Sequence, residues 1–300
     1  MNQLPASLAG KFLMFFCEID MKSPYELLSP PSNIRLPLVF DSPHSGINFP
    51  DNFETNASLE QLKSGWDAHI EKLWKDVVKV GGHLLHANFS RMYIDPNRAP
   101  NDIDPKLLDA PWSKCLPTKY SERGMGLIRR YALPDVNMYS EPLTRVQIEQ
   151  RISHYYQPYH NALKNTLDTL HQDFGSVWHI DCHSMKSKGN AMNIDSGASR
   201  PDIILGDNCG QCADAEFVQV VDDAFTNLGY EVVRNKPYKG GYLVTHYGNV
   251  KKNRHSMQVE INRALYMNEK EFTTNNNYQQ FQKDITCVAS DIAKYIRSEV

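Results

Sequence analysis

The sequence is poor in every feature that marks a secreted, membrane-embedded or nucleic-acid-binding chain. Its six cysteines in 300 residues (Cys17, Cys115, Cys182, Cys209, Cys212, Cys287) are scattered, without the spacing of a disulfide framework. No segment approaches the roughly 20 apolar residues of a membrane-spanning helix. The richest, Phe12 to Cys17, is short and has no basic stretch before it, so residues 1–20 read poorly as a signal peptide. An excess of one charge is missing too: 32 basic and 35 acidic side chains leave a net charge of −3, with no basic run. That removes the electrostatic footprint of a nucleic-acid binder and the polybasic anchor of a membrane-surface protein. What remains is ordinary globular composition, 41% hydrophobic and 22% charged, long enough for a large α/β domain. The expectation is a cytoplasmic chain acting on a small molecule, its oligomeric state left open.

Along the chain, residues 1–30 read as an N-terminal tail closed by Pro30 and Pro31, with Met21 an alternative start, and residues 31–300 as a single domain. Leu36 to Phe40 predicts a buried strand that runs into the turn residues Asp41-Ser42-Pro43-His44-Ser45-Gly46. Apolar residues at Leu62, Trp66, Ile70, Leu73, Val77 and Val80 keep helical spacing over 59–80, stopped by Gly81-Gly82. A strand region over 84–94 precedes a long aperiodic stretch, 95–140, of the kind that is functional or disordered. A long helical pattern over 143–174 is kinked or divided at Pro158. Strands follow at 177–180, 202–205, 230–234 and 256–265, with helices over 215–228 and 278–296. Strands alternating with helices predict a three-layer α/β/α sandwich with a mixed, largely parallel central sheet.

In open α/β sheets, ligand sites gather beyond the carboxyl ends of the strands. Three such ends carry polar groups: the His44 turn, His179-Ile180-Asp181-Cys182-His183-Ser184, and Gln258-Val259-Glu260-Ile261-Asn262. If 179–183 stays extended, His179, Asp181 and His183 share one face; Gln258, Glu260 and Asn262 share the polar face of their strand. Metal-assisted amide hydrolysis needs two or three nitrogen or oxygen ligands, an open position for water, and a separate carboxylate to take a proton. His44, His183 and Glu260 supply such parts, although polar residues that merely satisfy strand ends would look the same. Cys209-Gly210-Gln211-Cys212 has no second cysteine pair to complete a zinc site and reads as structural. His83 with His86, and His154 with His160, have spacings unsuited to chelation.

The runs Ser42-Pro43-His44-Ser45-Gly46, Ser90-Arg91-Met92-Tyr93-Ile94-Asp95-Pro96-Asn97-Arg98, Asp181-Cys182-His183-Ser184 and Gln258-Val259-Glu260-Ile261-Asn262-Arg263, in this order, resemble the N-formylglutamate amidohydrolase family. That family is similar in fold to the zinc carboxypeptidases and aspartoacylase. The resemblance implies zinc-dependent removal of formate from N-formyl-L-glutamate, a late step of histidine degradation. It implies one zinc ion held by His44 and His183, with Glu260 as general base. The carboxypeptidase-like pattern has an acidic ligand three residues after the first histidine. Here that position is Ile47, so the third ligand must come from elsewhere: Asp67 is chosen, with Asp41, Glu71 and Asp181 as rivals. Asn97-Arg98 resembles the pair that grips a substrate carboxylate, and Arg91 and Arg263 are candidates for a second carboxylate. The segment Pro237 to Tyr242 also resembles the family, and Tyr242 or His246 is a candidate donor to the oxyanion or to a carboxylate. Two other functions fit the same residues: a related amidase with another acyl preference, and an inactive relative that binds an acidic metabolite.

Overall fold

Strand β1 (Tyr25–Leu28) opens the chain in the computed structural model, which describes residues 23–300 except 192 and 194. The apolar stretch 12–17 and the alternative start at 21 lie outside the described residues. The expected tail over 1–30 is thereby corrected at 25–28, which pairs antiparallel with the strand that begins at His83. Strand β2 (Leu38–Ser42) is buried along its whole length.

The single helix predicted over 59–80 is broken into α1 (Leu59–Lys63), α2 (Ile70–Leu73) and a 3-10 turn, Lys75–Lys79. The apolar spacing survives because all the pieces pack on one core, but the backbone between them leaves the helix. A Cβ at Gly65 would lie 2.4 Å from Met92 Sδ, so the glycine lets the Met92 side chain pack directly on this backbone. His69 adopts φ 67°, and the Asp67 N–H donates to the His44 carbonyl at 3.0 Å. This interruption carries Asp67 toward the His44 turn.

Strand β3 (His83–Ala87) ends earlier than expected, and Ser90 to Tyr93 form a turn in place of more strand. The stretch 95–140 is ordered. It contains α3 (Lys119–Glu122) and the hairpin β4 (Tyr131–Leu133) with β5 (Val136–Asn137), and it buries Ile103, Leu127, Ile128 and Met138 completely. Its apolar residues are too irregularly spaced to show as periodicity. Next, α4 (Arg145–Arg151) joins α5 (Gln157–Phe174) through a π turn at Ile152–Tyr156. Pro158 offers no N–H to that turn and its ring crowds the carbonyl four residues back, so the wider turn falls just before it.

The remaining elements are β6 (Val177–Met185), β7 (Ile203–Gly206), α6 (Ala215–Thr226), β8 (Val232–Arg234), α7 (Tyr242–Tyr247) and β9 (Arg254–Asn262). The two-stranded ribbon β10 (Met267–Asn268) and β11 (Thr273–Thr274) then leads to α8 (Tyr278–Glu299). The seven-stranded sheet has the order β1-β3-β2-β6-β9-β7-β8. It is parallel from β3 through β9 and antiparallel at the β1/β3 and β7/β9 pairs. This is the expected mixed, largely parallel sheet between helical layers.

Alternation along the strands separates two chemistries. Leu38 and Phe40 of β2, Trp178, Ile180 and Cys182 of β6, and Met257, Val259 and Ile261 of β9 pack in one core with Phe217 and Val221 of α6 and Ile285, Val288 and Ile292 of α8. Each such side chain contributes about 1.5–3 kcal/mol on burial. The opposite face of β2 and β6 meets α5 through Val39, Val177, Tyr159, Leu163 and Leu167. Toward the carboxyl ends of β6 and β9 that second face turns polar. His179, Asp181 and His183 line up there on β6, beside Ser256, Gln258 and Glu260 on β9.

Candidate metal centre

His44 stands in the turn after β2, and His183 near the carboxyl end of β6. His179 and Asp41 lie deeper in the same polar face. His179 Nε2 donates to Asp41 Oδ1 at 2.7 Å, Tyr159 donates its hydroxyl to Asp41 Oδ2 at 2.6 Å, and His179 Nδ1 lies 2.8 Å from Ser256 Oγ. Burial, followed by the neighbouring Asp181, pushes the Asp41 carboxyl above its ordinary range. All four residues of this row are closed off from solvent, so they form a structural floor.

Above this floor three atoms converge. His44 Nδ1 and His183 Nδ1 are 3.0 Å apart, and Asp67 Oδ2 lies 3.1 Å from His183 Nδ1 and 3.5 Å from His44 Nδ1. Ligands of a tetrahedral ion bound at 2.0–2.2 Å sit about 3.3–3.6 Å from one another. The three atoms are therefore close to the spacing that an ion would set. Both imidazoles are held from behind. His44 Nε2 donates to Asp95 Oδ1 at 2.8 Å, and His183 Nε2 lies 2.7 Å from Asp181 Oδ1 and 3.0 Å from Asn97 Nδ2. A ring nitrogen that donates its proton to a carboxylate leaves the other nitrogen as a lone-pair donor, the arrangement found behind metal-ligating histidines. His44, Asp67 and His183, all buried, form a group that could hold a metal ion.

Of the four carboxylates that the sequence left open, Asp67 is the one in the converging group. Asp41 belongs to the floor and Asp181 orients His183. Glu71, on α2, is not part of the converging group. Burial works against the Asp67 charge, but the neighbouring imidazoles of His183 and His44 and the Arg263 guanidinium outweigh it and hold the carboxyl well below its ordinary range. Arg263 NH2 donates to Asp67 Oδ1 at 2.8 Å and Nε to Ser184 Oγ at 2.9 Å, both buried.

Glu260 pairs directly across from His183 on the adjacent strand. It is 8% exposed; Oε1 accepts from Gln258 Nε2 at 2.7 Å, while Oε2 has no hydrogen-bond partner among the described residues. Burial raises its pKa to about 7, His183 pulling the other way. A buried carboxylate with one free oxygen and a pKa near neutrality is suited to proton transfer.

The other expected site residues have these positions. Arg91 reaches the trio: NH1 is 2.8 Å from His44 Nδ1, and Nε and NH2 donate to Asp95 Oδ2 at 3.1 and 2.6 Å. Asn97 turns inward. Its Nδ2 donates to Asp181 Oδ2 at 3.1 Å, and its Oδ1 accepts from the Leu243 N–H at 2.9 Å. A Cβ at Gly241 would come within 2.4 Å of the Asn97 amide, so glycine alone lets α7 close on it. Arg98 lies 4.3 Å above the Tyr120 ring, and its Nε and NH1 donate to the carbonyls of Met125 and Asn97 at 2.9 and 2.7 Å. Tyr242 stacks on His246 at 4.8 Å and packs with the α5 face, away from the converging group. From the same segment, Tyr238 is the tyrosine on which Glu260 acts, its hydroxyl pushed up by burial and then by Glu260.

Sequence reasoning missed Asp95, Arg129 and Lys186. Asp95 orients His44 and neutralises Arg91; those two groups and Arg98 overcome its burial and hold it well below the ordinary carboxylate range. Its place after Ile94 in the Ser90–Arg98 run is its only sequence signal. Arg129 and Lys186 carry no motif at all.

The model of the N-formylglutamate amidohydrolase family matches residues 36–267. The chain is 30% identical over 244 residues to an N-formylglutamate deformylase of Pseudomonas putida, covering 79% of this chain and 84% of that one. A second N-formylglutamate deformylase, from Pseudomonas aeruginosa, is 28% identical over 244 residues, 78% of this chain and 84% of its own. Among solved structures, an N-formylglutamate amidohydrolase from Ralstonia eutropha JMP134 superposes with a TM-score of 0.88 at 39% identity, over 93% of this chain and 100% of that one. A gene product of Agrobacterium tumefaciens shares the fold, with a TM-score of 0.64 at 16% identity over 93% and 96% of the chains. Among the described residues no helix is long and apolar enough to cross a membrane. A metal-capable trio beside a buried glutamate, on a matching fold and a matching sequence, places this chain in the N-formylglutamate amidohydrolase family, an enzyme of amide hydrolysis.

Proposed function

We propose that the protein hydrolyses N-formyl-L-glutamate to formate and L-glutamate with one zinc ion held by His44, His183 and Asp67. The observation that carries the reading is the convergence of the two Nδ1 atoms and the Asp67 oxygen, each histidine tethered behind by its own carboxylate. Nitrogen and carboxylate donors in this number suit zinc, with a position left for water. When bound, the ion would polarise the formyl carbonyl and acidify a water molecule.

The chain's own groups do the rest. Glu260 Oε2 takes the proton of the attacking water as the C–O bond forms and later passes it to the departing glutamate nitrogen when the C–N bond breaks. Arg91, whose NH1 reaches within 2.8 Å of His44 Nδ1, donates to the oxygen on which negative charge develops. Asp95 holds Arg91 in place for that role and keeps His44 Nδ1 turned inward. Arg263 fixes Asp67 in one rotamer. Asn97 ties Asp181, and through it His183, to the start of α7. Arg98, which has no acidic partner within salt-bridge distance among the described residues, is left to pair with a substrate carboxylate.

The test is formate release from N-formyl-L-glutamate by the purified protein, after chelation and after zinc is restored. Turnover that disappears with chelation and returns with zinc supports the reading. Turnover indifferent to chelation, or absent with zinc bound, refutes it.

A further inference from the structure

A folded protein rarely leaves an arginine inside without a counter-charge, since an unpaired buried ion is costly to hold. Arg129 is such a residue: it is 8% exposed and its Nε has no hydrogen-bond partner. No acidic group lies within salt-bridge distance of it among the described residues, whereas buried Arg91 and Arg263 each have an aspartate. Its position is fixed by backbone. The Asp95 N–H donates to the Leu127 carbonyl at 2.8 Å, and Arg129 bridges to Met125, so the guanidinium rises from the strap that flanks Asp95. After burial, the charges that act on it most are Arg91, Asp95, Arg98 and Asp67, the wall of the candidate metal centre, and they leave its pKa lowered to about 9. It is still a cation at neutral pH.

Lys186, just beyond the end of β6, has the same character. It is half-buried, and no acidic group lies within salt-bridge distance of it among the described residues. Burial lowers its pKa, and Arg263, Arg200 and Arg129 add to the effect, with Glu269 opposing. Lys186 follows His183 of the trio by three residues, so a second cation without an acidic partner among the described residues stands just past that end of β6.

We infer that Arg129 forms an anion subsite that grips the acid end of a dicarboxylate substrate, and that it is the specificity-determining residue of that subsite. A planar fork whose donors lack a protein partner is ready to take a carboxylate bidentately. The bound anion would supply the counter-charge that the fold omits. An acidic amino acid derivative therefore enters a site from which a neutral one gains nothing. The inference rests on the substrate reading above and deepens it.

The experiment uses the zinc-loaded full-length protein and Arg129→Met, with N-formyl-L-glutamate and its two mono-amides (N-formylglutamine and N-formylisoglutamine). The expected loss of kcat/KM on the dianion is about 100-fold, carried mainly by KM. It shrinks to within about threefold on the mono-amide that lacks the gripped carboxylate. Glutarate should raise the Tm of the wild-type protein and leave Arg129→Met unmoved. The metal-free variant should melt no lower than wild type, because an unpaired cation has been removed. Equal loss on all three substrates, or wild-type kinetics in the variant, overturns the inference. If Arg129→Met does not fold, Arg129→Lys, which keeps the charge and loses the fork, should still lose at least about tenfold on the dianion alone; unchanged kinetics there overturn it. A protein that releases no formate yet is stabilised by glutarate through Arg129 retains the subsite and loses the substrate assignment. Normal formate release by Arg129→Met does the reverse.

Discussion

Replacing Glu260 with glutamine changes a single oxygen to an amide and leaves shape and volume nearly intact. The acceptor for Gln258 Nε2 at 2.7 Å is preserved, so the variant keeps its fold. Turnover should collapse, because the unpartnered Oε2 on the strand position across from His183 is gone. Loss of a positioned general base costs about 10²–10⁴ in rate, equivalent to about 3–5 kcal/mol of barrier. Stability should move the other way. The folded-state pKa of about 7 lies above the ordinary 4.5, so the folded protein binds a proton that the unfolded chain has lost. The penalty begins as pH rises past the unfolded value and is complete above the folded one. At pH 8 it is on the order of 3 kcal/mol in the metal-free protein, and glutamine relieves it. The paired assay is single-turnover formate release together with thermal melting of the metal-free protein at pH 5 and pH 8. The expected result is a rate reduced at least about 100-fold, with a gain in Tm at pH 8 that shrinks to about a quarter at pH 5. A variant within about tenfold of wild-type rate would refute the role given to Glu260.

Three further outcomes follow from the same geometry. Asp95→Asn leaves His44 without its anionic anchor and Arg91 without its counter-charge, so zinc affinity should fall about 10–100-fold in competition with a fluorescent chelator. Gly241→Ala forces a methyl group into the Asn97 amide at 2.4 Å and should cost about 1–3 kcal/mol in denaturant unfolding. Formate release at saturating zinc should fall on the acid side with a slope of one proton, at or below the Glu260 pKa of about 7, since the base must be ionised to act.

How far the site could be read from the sequence depended on the kind of signal each residue leaves. Strand β9 was legible because Met257, Val259 and Ile261 alternate with Gln258, Glu260 and Asn262, and both faces are buried against something definite. The strand predicted over 177–180 runs on to Met185 instead. Asp181, His183 and Ser184 break the apolar pattern there because the site, rather than the core, lies over them. The break in the 59–80 helix was hidden by apolar residues that keep their 3.6 period while the backbone does not. Tyr25 to Leu28 read as tail in the sequence because a short edge strand needs no apolar run. Asp67 is favoured in the sequence over three rival carboxylates, and its N–H bond to the His44 carbonyl is what brings it to the converging group. Arg129 could not have been found in sequence: what distinguishes it is the lack of a partner in space.

The account stands on a single ion bridging the turn after β2, the gap between α1 and α2, and the end of β6. The most direct measurement is the zinc content and dissociation constant of the purified protein beside His183→Ala. The account predicts one zinc per wild-type chain and an affinity weakened at least about 100-fold in the variant. Equal zinc binding by both proteins, or none by a folded wild-type chain, would contradict it.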